Sequence, residues 1–107
     1  MGHGFPSGKK SATAAGTNSG ATATIAADAS QTYIITNISG HGDADAVITG
    51  EGPAATVVWE GKKDVSVEGL PFDSGPISIP LARNTAAVGK ISASTADCQV
   101  TISVDIV

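Results

Sequence analysis

Hydrophobic and polar positions alternate with a period of two along much of this chain. In the final stretch Val100, Ile102, Val104 and Ile106 alternate with Thr101, Ser103 and Asp105, an order that puts every second side chain on one face of a pleated ribbon. This predicts a strand with one dry face and one wet face. The same reading predicts strands over 21–26, 32–39, 46–49, 56–60, 64–68, 77–81, 86–93 and 99–106, with Val57 and Trp59 sharing a face in the fourth. Between them lie turn signals: Gly40-His-Gly-Asp, Gly61-Lys-Lys and the Asp73-Ser-Gly-Pro corner. Pro80 cannot donate to a ladder, so its strand belongs at an edge or an end. No segment carries a helical period. The expected fold is therefore all-β, an antiparallel β-sandwich or jelly-roll of about eight short strands.

Composition limits the core. The chain has 107 residues, room for one domain, and is 41% hydrophobic but only 4% aromatic. Much of the hydrophobic share is Ala, so Val and Ile must supply most of the burial. A core this thin makes a lone subunit marginal and predicts self-association.

Charge divides the chain in two. Residues 1–27 hold Lys9 and Lys10 and no acid, whereas residues 28–107 hold four basic and ten acidic residues, within a net charge of −4. That balance speaks against non-specific binding to a nucleic-acid backbone. Residues 1–20 are rich in Gly, Ser, Ala, Thr and Lys, with Phe5 the only sizeable apolar anchor. They read as an extended N-terminal arm ahead of a β-sandwich domain over 21–107. Ordering twenty such residues costs on the order of 20–40 kcal/mol, which the arm's own side chains cannot offset. The body, a sister subunit or another protein must hold it. Phe5, Lys9 and Lys10 are the expected docking residues, and an arm that folded entirely on its own subunit would remove this clamp.

Candidate chemistry is sparse. Gly8-Lys9-Lys10-Ser11 is not a phosphate loop, because His3 stands where that motif needs glycine and Lys10 where it needs a hydroxyl. His41, Asp43 and Asp45 share a Gly-rich turn with oxygen ligands at alternate positions, but too few for Ca²⁺, and no third ligand accompanies His3 and His41. Both histidines are flanked by glycines, a poor setting for a general base. The acid pairs Asp43 with Asp45 and Glu60 with Glu68 read as solvent-face charges. Cys98 is the lone cysteine and reads as a small buried hydrophobe. Tyr33 and Trp59 could stack on a sugar, although core packing is the commoner fate of a strand aromatic. Asn37-Ile-Ser39 matches a glycosylation sequon within a predicted strand, with no secretory signal ahead of it. No run approaches a membrane span. No catalytic residue, metal or cofactor is expected.

Four runs together resemble the small head decoration, or cement, proteins of tailed bacteriophages. They are Lys10-Ser-Ala-Thr-Ala-Ala-Gly through Ala21-Thr-Ala-Thr-Ile-Ala-Ala, Gln31-Thr-Tyr-Ile-Ile-Thr-Asn-Ile-Ser-Gly, Leu70-Pro-Phe-Asp-Ser-Gly-Pro-Ile-Ser-Ile-Pro-Leu, and Cys98-Gln-Val-Thr-Ile-Ser-Val. The resemblance lies in order and texture, with no catalytic motif to anchor it. It implies a jelly-roll or similar sandwich, commonly a homotrimer, on the outer surface of a virion. There it would bind the major capsid protein and clamp neighbouring subunits, with no direct contact to nucleic acid or membrane. A carbohydrate- or receptor-binding module of a phage tail or fibre is the alternative expectation, and it requires an exposed aromatic platform.

Overall fold

In the computed structural model, residues 8–17, 20–42, 46–52, 56–63, 72–92 and 97–107 are described. Among the described residues nine strands run in chain order: β1 (Gly8–Thr17), β2 (Ala21–Ile25), β3 (Tyr33–Gly42), β4 (Ala46–Glu51), β5 (Val57–Lys63), β6 (Phe72–Asp73), β7 (Ile79–Pro80), β8 (Ala87–Ser92) and β9 (Asp97–Ile106). They form two antiparallel sheets, one ordered β1-β9-β3-β6 with β7 also on β3, the other β2-β8-β4-β5. The two-residue strands β6 and β7 lie on β3 at different heights, opposite Ser39–Gly40 and Ile34–Ile35 respectively. Each sheet is thus four strands wide.

This order is one long hairpin rolled up. β1 pairs with β9, β2 with β8, β3 with β6 and β7, and β4 with β5, the successive pairs falling in alternate sheets. That winding is the jelly-roll arrangement within the all-β class expected from the alternation.

The core lies between the sheets. Tyr33, Ile35, Ile38, Ile48, Val100, Ile102 and Val104 are its largest fully buried side chains. Bulk on one sheet meets hollows on the other. Gly50 and Gly89 are register partners, and a methyl added to Gly50 would lie 2.6 Å from Ile38 Cδ1, one added to Gly89 3.1 Å from Ile102 Cβ. The glycines let aliphatic side chains of the first sheet fill the space, which draws a thin core tight.

Several boundaries differ from expectation. The largest correction is the arm: residues 8–17 form β1, paired with β9 at all ten positions. Main-chain hydrogen bonding along the edge of β9, which leaves no trace in the side-chain pattern, holds these residues in place. The domain therefore begins upstream of residue 21. Residues 1–7, with Phe5, lie outside the described residues. The Gly40-His-Gly signal is strand, because Gly40 serves close approach; a Cβ there would sit 2.9 Å from the Gln99 carbonyl oxygen. Gly61-Lys-Lys is strand as well, within β5. Val57 and Trp59 do not share a face: the register jumps between Glu51↔Val57 and Gly50↔Trp59, leaving Val58 as the extra residue of a bulge. Val57 is 51% exposed, whereas Trp59 packs on the core. The strand expected over 77–81 shortens to Ile79–Pro80, at the edge where Pro80 was expected. The strand expected over 64–68 lies outside the described residues.

Candidate docking surface

The outer face of β1, β9 and β3 is a continuous polar surface. It follows from alternation: with Val100, Ile102, Val104 and Ile106 turned inward, the intervening positions of β9 and their register partners turn outward. At one end Lys9, Asp105 and Ile34 form a row across the three strands. Ser11, Ser103 and Asn37 follow, then Thr13, Thr101 and Ser39, then Ala15, Gln99 and His41. Hydroxyl and amide groups dominate this surface.

Neighbours on the face hold one another. The hydroxyls of Thr13 and Thr101 are 2.8 Å apart, and His41 Nε2 lies 2.7 Å from Gln99 Oε1. Asn37 Nδ2 donates to Asp73 Oδ1 at 2.6 Å and to the Gly75 carbonyl at 3.3 Å, so the sequon asparagine is committed within the fold. The Asn37 bond first, and second the Gly75 N–H, which donates to the same Asp73 oxygen at 2.8 Å, hold the Asp73 carboxyl below the usual carboxylate range. Asp28 is lowered likewise, chiefly by the Ser30 hydroxyl and then by the Ser30 N–H.

The two lysines of the expected arm part company. Lys10 occupies an inward position of β1, opposite buried Val104. Its ammonium donates to Gln31 Oε1 at 3.0 Å and to Tyr33 Oη at 3.2 Å, and lies 5.4 Å from the Tyr33 ring centroid. Tyr33 Oη in turn donates to the Ala26 carbonyl at 2.7 Å. Lys10 thus braces the mouth of the sandwich. Lys9 points outward with 84% of its side chain exposed and only a 3.9 Å contact to Asp105, a surface pair of little energetic weight. Lys9 alone of these lysines belongs to the outer face.

The other candidates separate too. Tyr33 is 1% exposed and cannot serve as a sugar platform, and Trp59 packs partly buried against the core. Cys98 is buried at an inward position of β9. His41 belongs to β3, while His3, Asp43 and Asp45 lie outside the described residues. Among the described residues no three His, Cys, Asp or Glu side chains come together, and no helix is long and apolar enough to cross a membrane. The face as a unit is not visible in the sequence. Its signal was present on β9 as Thr101, Ser103 and Asp105, but its continuation onto β1 is visible only through the register.

Compared with protein-family models, curated proteins and solved structures, the chain gives no significant match.

Proposed function

We propose that this protein is a structural decoration protein of a tailed-phage head, docking on the outer capsid surface and cementing neighbouring capsid subunits. The sequence resemblance motivates the reading, and the outer face of β1, β9 and β3 carries it. A field of hydroxyls and amides spread over three adjacent strands suits a protein surface read by many modest, partly water-mediated hydrogen bonds. The free-arm version is abandoned, since β1 is bound along its length to β9. Docking is instead assigned to the β1–β9–β3 face, with exposed Lys9 at its rim.

Co-sedimentation of the full chain with undecorated heads of its parent virus tests this. Binding is expected for the natural chain. Thr101→Arg, which sets a bulky charge in the middle of the face, should weaken it roughly tenfold or more by leaving buried polar groups unpaired. Failure of the natural chain to bind sinks the decoration reading, and full binding by the variant removes the face from it.

A further inference from the structure

β1 is the terminal strand of its sheet, and the hydrogen-bond phase shows which of its main-chain groups face outward. Thr32 and Val107 exchange both N–H···O bonds, at 3.3 and 2.9 Å, so they form a hydrogen-bonded antiparallel pair. Odd-numbered residues of β9 therefore turn their main-chain groups towards β3, and even-numbered ones towards β1. Because Gly8 pairs with Ile106, Lys10 with Val104 and so on, the even positions of β1 bond to β9. Lys9, Ser11, Thr13, Ala15 and Thr17 point their N–H and C=O groups away from the sheet. The close approach of the Thr13 and Thr101 hydroxyls agrees, since side chains come nearer at non-hydrogen-bonded pairs.

From this edge we infer that two copies of the chain join through antiparallel β1–β1 pairing about a twofold axis at Thr13. The pairing is self-complementary. Centred there, Thr13 meets its own counterpart, Ser11 meets Ala15 of the second copy, and Lys9 meets Thr17; every member is an edge-facing residue. Each Lys9 lies eight residues from the other along the seam, about 27 Å at the rise of a strand, beyond the reach of like-charge repulsion in physiological salt. Parallel pairing would crowd the lysines together. On the inner side Ala12 comes opposite Ala14 of the second copy, adding apolar contact to two residues already packed on the core.

Among the described residues no other edge matches this one. β2 has five residues, β6 and β7 two each, and β5 carries a bulge. β1 has ten residues without proline or irregular register, and Lys9 is its one outward charge. Twofold pairing uses the edge once on each copy and so closes at a dimer. It also doubles the width of the polar face, since β3-β9-β1 continues directly into the second copy. The inference is read from the chain alone and departs from the homotrimer that the sequence resemblance implies, so the oligomeric state can fail or hold independently of binding to heads.

Sedimentation equilibrium of the full chain across a concentration series tests it. A monomer–dimer equilibrium is expected, and Thr13→Pro should raise its dissociation constant roughly tenfold or more by deleting the central edge N–H. Because that N–H faces away from β9, the variant should keep the natural far-UV circular dichroism. A second pair guards against an unfolded variant: Ser11→Lys with Ala15→Lys should abolish pairing, and Ser11→Glu with Ala15→Lys should restore it. A chain that stays monomeric, a trimer, or a double-lysine variant that dimerises as tightly as the natural chain overturns the inference.

Discussion

β1 and β9 are partners of equal length, ten residues each, joined at ten register positions, yet they are built from opposite material. β9 sits inside its sheet and turns Val100, Ile102 and Val104 into the core at 0%, 0% and 1% exposure. β1 lies at the margin and offers Gly8, Ala12, Ala14 and Gly16 on its inward side, with Lys10 at the mouth of the sandwich. One strand is held by the surface it hides, the other by the hydrogen bonds its neighbour supplies. A strand can therefore be secure without a hydrophobic row of its own, provided it lies along one that has it.

The sharpest way to break this comparison is to cut into β9. Ile102→Ala removes a fully buried side chain facing Gly89 and should cost about 2–5 kcal/mol, measured by urea unfolding. β1 should answer to its backbone instead. Ala14→Pro deletes an N–H turned towards β9 and should cost roughly 1–3 kcal/mol, whereas Thr13→Pro, one residue away, should leave unfolding nearly unchanged when both are measured at concentrations where the chain is monomeric. Equal losses at the two positions would show that β1 is not held in the phase described.

The smallest effect comes from acid. Asp28 and Asp73 both titrate below their ordinary range in the folded state, so the native protein binds fewer protons than the unfolded chain around pH 4. Their contribution is full above the unfolded value and disappears as pH falls through the lowered folded values. Thermal unfolding from pH 6 to pH 2 should show a shallow acid limb. Asp28→Asn with Asp73→Asn should flatten it, and an unchanged limb would assign the acid sensitivity to other carboxylates.

What could be read from sequence follows the same division. Strands that turn large side chains inward, β9 with Val100, Ile102 and Val104 and β3 with Tyr33, Ile35 and Ile38, are visible because their burial leaves a trace in the sequence. β1 is invisible by that rule: apart from Lys10 its inward residues are small, and its lysines resemble those of any soluble tail. Gly40 was misleading for a related reason. Glycine marks a turn when it supplies unusual dihedrals, but here it makes room for the Gln99 carbonyl, a requirement set by a residue far away in sequence. The face of β1, β9 and β3 was half legible, since the wet side of β9 was evident while its flanking strands needed the register. The split between Lys9 and Lys10 was hidden until the side of β1 on which each falls was known.

The rolled winding also dictates when the molecule can be completed. The contact between Thr13 and Thr101 spans 88 residues, so during synthesis β1 waits, without its ladder, until nearly all the remaining strands have been made. Closure of that seam is a late and slow event, governed by the search for a distant partner rather than by local preference. Until it happens, the strand nearest the start of the chain is the one most available to the wrong neighbour.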